Sequence, residues 1–312
     1  MHCIQSGNFS RKLKHLKQLT ISVYDDDFEA DSTARSGYNP KRFFPSAEKT
    51  GPSDAIRKES FPVMNSNNKW QERTVAGHPC DIFVPTQTNK QRYLVIYLHG
   101  VHMEMLRDHA EFTDQFEQHG LLVVAPVTQQ SWWTDRICPN FDDQLTSEQH
   151  LLENILTFAE QQFGSKPPGI GLLGTSMGGQ GALRLAYKYP DLFPVVAAIS
   201  PAIDYQSRIT EGDEVLTAMY SNEEEARQDT ATLHIHALNW PRHQFFCCDP
   251  IDSRWYDSSD RLHMKLSALG IPHEYDLETS HGGHGFVYYN SMASRAIGFI
   301  ADALERERMR VV

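Results

Sequence analysis

Ile170-Gly171-Leu172-Leu173-Gly174-Thr175-Ser176-Met177-Gly178-Gly179-Gln180-Gly181-Ala182-Leu183 is the stretch on which the reading of the whole chain turns. Four residues with the composition of a buried strand run into a Gly-x-Ser-x-Gly core, and an alanine- and leucine-bearing helical pattern follows at once. A strand that bends this sharply into a helix forces its central residue into a strained backbone conformation, so the positions two before and two after must be small. Gly174 and Gly178 meet that demand. The turn lifts the Ser176 hydroxyl clear of the sheet, aims the positive end of the following helix at it, and offers the Met177 N–H to a developing negative charge. Ser176 is therefore the candidate nucleophile and Met177 a candidate oxyanion donor.

Reading outward, short apolar runs alternate with helical patterns, the rhythm of a mostly parallel sheet covered by helices on both faces. Leu94–Leu98, Leu121–Ala125, Ile170–Leu173, Val195–Ile199 and Gln244–Cys248 are the expected strands, with another at about His273–Glu278. Arg73 to Pro85 suits an antiparallel hairpin ahead of them. Leu151, Leu152, Ile155, Leu156, Ala159 and Phe163 recur at helical spacing, and Thr146 with Gln149 forms a capping-box pattern in front of them. Helices are also expected after Gly178 as far as Pro190, from about Ser259 to Leu269, and from about Ala293 to Glu305. Residues 202–242 break the rhythm and suggest an insertion placed as a lid or pocket wall. The first 68 residues are polar and suggest a poorly ordered arm, leaving 69–312 as the catalytic domain.

Composition narrows the function. Of 312 residues, 40% are hydrophobic and 11% aromatic, enough for a sizeable core. A formal net charge of −11 with no basic stripe argues against a nucleic-acid partner. No apolar run approaches the roughly 20 residues that span a bilayer. Five cysteines without Cys-x-x-Cys spacing suggest neither a disulfide framework nor a zinc knuckle, and fit a reducing, cytoplasmic setting.

An activated serine needs a base, an acid that orients the base, and a second oxyanion donor. The chain order after a nucleophile of this type is acid, then histidine. Ser280-His281-Gly282-Gly283-His284-Gly285-Phe286 is a glycine-rich loop near the end; His284 is the preferred base and His281 the alternative. A pair of histidines three apart can also ligate a metal, but a loop this rich in glycine fixes ligands poorly and offers no clear third one, so neither metal nor cofactor is expected. Asp249-Pro250-Ile251-Asp252 supplies two carboxylates, of which Asp252 is preferred as the orienting acid and Asp249 as the residue that holds the turn. The second donor is expected just after Leu94–Leu98, in His99-Gly100-Val101-His102. There the Val101 N–H is the candidate, with His102 as its neighbouring alternative.

These features, from about Arg73 to the C-terminus, resemble the esterase family that includes esterase D (S-formylglutathione hydrolase), feruloyl and acetylxylan esterases and the mycolyltransferases. The resemblance rests on Ser176-Met177-Gly178-Gly179-Gln180-Gly181-Ala182-Leu183, Leu98-His99-Gly100, Asp252 and Gly282-Gly283-His284. It implies an α/β-hydrolase fold, a small-molecule ester or thioester substrate, and a pocket lined near Trp132 and Trp133. In S-formylglutathione hydrolases His commonly holds the positions of Thr175 and Gln180, a departure that argues against a glutathione thioester. Two other readings share the fold: an acyltransferase using the same acyl-enzyme, and a binding protein without turnover.

Overall fold

Strand residues rich in Val, Ile and Leu, buried on both faces, belong at the centre of a parallel sheet, and all five residues of Leu94–Leu98, Leu122–Pro126 and Val195–Ile199 are buried. The computed structural model describes residues 69–310; the arm expected over residues 1–68 lies outside the described residues.

Eight strands form one sheet: β1 (Trp70–Val75), β2 (His78–Phe83), β3 (Leu94–Leu98), β4 (Leu122–Pro126), β5 (Ile170–Thr175), β6 (Val195–Ile199), β7 (His243–Cys247) and β8 (Glu274–Asp276). Their spatial order is β1-β2-β4-β3-β5-β6-β7-β8. The β1–β2 and β2–β4 pairs are antiparallel and every other pair is parallel. The hairpin closes through Ala76 and Gly77, both at positive φ (48° and 88°), as a two-residue turn matched to strand twist requires.

The strand pleat sorts the core. Val95, Tyr97, Leu173, Ala197, Ile199, Phe245 and Cys247 share one apolar cluster with α1 (Ala110–His119) and α8 (Phe286–Met309). Intervening strand positions turn to the opposite face, where α3 (Met177–Lys188) packs on β5, β6 and β3. Between them in the chain, α2 runs continuously through Ser147–Gln149, a π-helical stretch His150–Ile155, and Leu156–Phe163. The expected capping box is formed: Thr146 Oγ1 accepts from Gln149 N and Gln149 Oε1 from Thr146 N. The 202–242 segment carries only short helices, α4 (Ser207–Thr210), α5 (Glu214–Met219) and α6 (Glu223–Gln228). It is tied to α3 by a buried cluster in which Arg184 contacts Asp229 and Glu148. Past β7, α7 spans Tyr256–Ala268.

Two helices depart from expectation, one in where it starts and one in being there at all. The last helix starts at Phe286 instead of about Ala293, directly behind the glycine-rich loop. Its first turn, Phe286-Val287-Tyr288-Tyr289, consists of aromatic and β-branched residues of low helix propensity, so tertiary packing overrides the local signal. Residues 110–119, not singled out in the sequence, form α1 on the strength of Phe112 and Phe116, one turn apart and buried.

Candidate active site

Between β5 and α3 the chain makes the strained turn that its glycines foreshadow. Ser176 sits at φ 54°, ψ −118°, a region costly for any side-chain-bearing residue. Two contacts make the flanking glycines compulsory. A Cβ on Gly174 would lie 2.0 Å from Gly178 O, and one on Gly178 would lie 1.8 Å from Leu98 O. Backbone bonds pin the turn from beneath, Ser176 N donating to Ile199 O at 3.0 Å and Ala202 N to Ser176 O at 2.9 Å.

His284 projects from the loop between β8 and α8 and meets this hydroxyl: His284 Nε2 lies 2.9 Å from Ser176 Oγ. Its Nδ1 lies 2.7 Å from Asp252 Oδ2. Asp252, in the turn after β7, also accepts from Trp255 N and Arg254 N through Oδ1, at 3.2 and 3.3 Å, and from the Cys248 thiol through Oδ2 at 3.6 Å. Burial would raise the Asp252 carboxyl, but the hydrogen bond and charge of His284 and the two backbone N–H groups outweigh it and hold the acid below its ordinary range. Asp252 is thus an anion facing the imidazole, and a ring that donates to it from Nδ1 presents Nε2 to the serine as an acceptor.

Asp249 serves the loop instead. Its Oδ1 accepts from Ile251 N and Ser280 Oγ, each at 2.9 Å. Its Oδ2 accepts from His281 N at 2.6 Å and Gly283 N at 2.8 Å. The carboxylate therefore ties the turn after β7 to the loop that carries the imidazole. The His281 side chain is exposed, and among the described residues no three His, Cys, Asp or Glu side chains are grouped to hold a metal ion.

A family model described as "Putative esterase" matches residues 66–291. The chain belongs to that family. It is a carboxylic ester hydrolase. A comparison with curated proteins gives no match. Among solved structures the esterase is similar to the fluorophosphonate-binding serine hydrolase F of Staphylococcus aureus, with a TM-score of 0.58 at 18% identity over 72% of this chain and 92% of that one. It is also similar to an S-formylglutathione hydrolase from Agrobacterium tumefaciens, with a TM-score of 0.60 at 16% identity, covering 75% and 94%. A ferulic acid esterase aligns with a TM-score of 0.58 at 16% identity, covering 72% and 93%. At such identities the likeness concerns the fold: this is an α/β-hydrolase scaffold.

Next to Ser176 the esterase carries a cavity of about 250 Å³. Gly100 and Val101 line it from the loop after β3, and a Cβ on Gly100 would lie 3.3 Å from Ser176 Cβ, so the loop approaches the serine too closely for a side chain to fit easily between them. The loop is fixed by His99: its Nδ1 is 2.8 Å from Gly100 O, and its Nε2 accepts from Thr128 N at 3.1 Å. Burial lowers the His99 pKa to about 4, against the opposing pull of the Gly100 carbonyl, so the ring is a neutral structural tie.

The paired tryptophans separate. Trp132 lines the cavity and stacks on Tyr205 at 4.7 Å. Trp133 does not line it: fully buried, it donates from Nε1 to His99 O at 3.1 Å and packs behind the loop. Its place is set by the bend at residues 132–133, both at positive φ (55° and 56°), which turns adjacent side chains in different directions. Thr175 bonds to Tyr97 Oη at 2.9 Å, and Gln180 accepts from Ala231 N at 2.9 Å, so both positions that depart from the S-formylglutathione hydrolase pattern are packed into the scaffold.

Several cavity residues escaped sequence reasoning. Tyr289, on the first turn of α8, brings its hydroxyl 2.9 Å from His284 Nε2, the atom that also faces Ser176. Burial raises the Tyr289 pKa well above its ordinary value, so the phenol stays protonated and is a hydrogen-bond partner, not a base. Arg208, Arg254 and Trp255 complete the rim. The helix start that placed Tyr289 was the signal obscured by its own aromatic turn.

Proposed function

We propose that this esterase works through an acyl-enzyme on Ser176, with His284 as general base and Asp252 as its orienting acid. The observation that carries this reading is the relay of two short contacts, Ser176 Oγ to His284 Nε2 at 2.9 Å and His284 Nδ1 to Asp252 at 2.7 Å. Ser176 Oγ attacks the ester carbonyl as its proton passes to Nε2, and the Asp252 carboxylate stabilises the imidazolium that results. Oxyanion charge falls to the Met177 N–H, at the start of α3, and to the Val101 N–H, from the loop that Gly100 brings against Ser176. Collapse expels the alcohol, which takes its proton from Nε2. Water, deprotonated by the same nitrogen, then attacks the acyl carbonyl, and the acid leaves with Ser176 restored.

Tyr289 shapes this cycle by sharing Nε2. A neutral imidazole with its Nδ1 proton on Asp252 has one lone pair there, so Ser176 and Tyr289 alternate as donors to it. The modest cavity and its mixture of tryptophan and arginine walls favour small esters.

Ser176→Ala tests the assignment. Loss of a triad nucleophile typically costs on the order of 10⁶ in turnover. Hydrolysis of short p-nitrophenyl esters should therefore fall to background, and fluorophosphonate labelling should vanish. An alanine variant within about tenfold of wild type would remove Ser176 from the mechanism, because a nucleophile cannot be dispensable at that level.

A further inference from the structure

We infer that Arg208 and Arg254 form an oxyanion subsite at the rim of the cavity, and that the preferred substrates are esters whose leaving alcohol carries a carboxylate or phosphate. The inference rests on the esterase reading of the same cavity and adds the substrate class.

Both arginines line the cavity that holds Ser176. Each is braced rather than free. Arg208 lies over the Trp132 ring, 5.7 Å from its centroid, and donates from Nε to Asp213 Oδ2 at 2.8 Å. Arg254 lies over the Trp255 ring at 5.1 Å and contacts Glu211 through Nη2. The two acids stand on one turn, Glu211-Gly212-Asp213, so both arginines are anchored to the same short segment of the chain. Side chains are normally expensive to immobilise; stacking and a single carboxylate here remove that cost before a substrate arrives.

The bracing leaves donors over. Among the described residues Arg208 keeps both terminal nitrogens, Nη1 and Nη2, without a protein partner, and Arg254 keeps Nε and Nη1. An intact Nη1/Nη2 pair is the end-on fork that grips two oxygens of one carboxylate or phosphate. Against a net charge of −11, and with Glu104 on the lining, an anionic group finds its favourable partners at this rim.

The position assigns the charge to the departing half of the ester. Trp255, under Arg254, has its ring 6.5 Å from the His284 ring. His284 Nε2 must deliver the proton to the leaving oxygen, so the alcohol lies on the His284, Trp255 and Arg254 side.

Steady-state rates on 4-acetoxybenzoate and 4-acetoxyphenyl phosphate, each compared with methyl 4-acetoxybenzoate and divided by its hydroxide-catalysed rate, test the subsite and separate its two oxyanions. A hydrogen-bonded charge pair is worth about tenfold or more, so kcat/KM should favour at least one charged ester by that factor. The charged-to-neutral ratio should fall about tenfold in Arg208→Gln/Arg254→Gln, mainly through KM. Should the double variant fail to fold, inhibition of the wild type supplies the answer: 4-hydroxybenzoate or 4-hydroxyphenyl phosphate should inhibit more strongly than methyl 4-hydroxybenzoate. Equal corrected rates on charged and neutral esters, a preference that survives the double variant, or a preference confined to p-nitrophenyl hemisuccinate over p-nitrophenyl butyrate, where the charge is on the acyl side, would each overturn the subsite while leaving the esterase reading intact. Absence of turnover on every ester would instead sink the esterase reading and the subsite with it.

Discussion

Two glycine-rich turns face one another at the cavity, and they hold their functional side chains by different means. Around Ser176 the glycines are demanded by hard contacts, since an added Cβ at Gly174 or Gly178 would fall about 2 Å from backbone atoms. Around His284 the glycines take positive φ, 88° at Gly282, 78° at Gly283 and 137° at Gly285, and no added Cβ would meet backbone: at Gly282 it would fall 2.7 Å from the Val287 side chain, at Gly283 it would meet only Ile251, at 3.8 Å, and at Gly285 nothing. The nucleophile is fixed by steric exclusion. The base is fixed by polar tethers, Asp252 on its ring and Asp249 on the loop backbone just before it, at His281 and Gly283. Close packing tolerates no partial failure, whereas a hydrogen-bonded loop can weaken by degrees.

The sharpest break in this contrast is Gly178→Ala. With Leu98 O, Leu98 C and His99 O at 1.8, 2.3 and 2.7 Å from the new methyl, all of them backbone atoms, no side-chain movement can relieve the overlap. The variant should yield no soluble folded enzyme, a loss larger than the 4–5 kcal/mol that marks exceptional substitutions. Normal expression with a cooperative thermal transition near that of wild type would show that the elbow is held by something other than exclusion.

Next in size is Asp252→Asn, which strikes the polar side of the comparison. An amide can donate to His284 Nδ1 and so favours the wrong tautomer, removing the lone pair from Nε2 while the fold survives. Turnover should drop by about 10⁴ with the circular dichroism spectrum intact. A drop below about tenfold would mean that the ring takes its orientation from elsewhere, with Tyr289 as the first suspect.

How much of this could be read from the chain follows the same division. The elbow is legible because its cause is local: five consecutive residues clash or fit among themselves and the next strand end. The order of Asp252 and His284 is legible because the sheet fixes which strand ends meet Ser176. Tyr289 was not, since its reach depends on a helix whose first turn, Phe286 to Tyr289, lacks helical character. Arg208 was not, because α4 is four residues of an irregular insertion held by the Arg184–Asp229 contact from α3, a tertiary fact with no periodicity to announce it. Trp133 shows the converse: the family resemblance set both tryptophans near the pocket, and the backbone bend sent Trp133 into the scaffold.

Asp249→Ala probes the tether itself. Four donors lose their acceptor, two of them the backbone N–H groups of His281 and Gly283. A misplacement of about 1 Å at the reacting groups can cost 10²-fold in rate, so kcat should fall by about that factor. Asp249→Asn, which retains carbonyl acceptance, should recover part of the loss. Equal defects in the two variants would point to the charge of Asp249 as the active feature, in place of its positioning bonds.

The smallest effect expected is the most discriminating between the two turns. Gly283→Ala adds a methyl that meets only Ile251, at an ordinary van der Waals distance, but at φ 78°, where an L-residue pays about 1–2 kcal/mol. Thermal unfolding should therefore shift down by only a few degrees, about 2–4 °C per kcal/mol in a domain of this size. The Gly283 N–H stays on Asp249 Oδ2 in this variant, so His284 should keep its reach to Ser176 and turnover should change by less than about tenfold. A collapse comparable to that of Gly178→Ala would erase the distinction, since the loop would then be as sterically determined as the elbow, and the carboxylate beneath it a consequence of the fold instead of its cause.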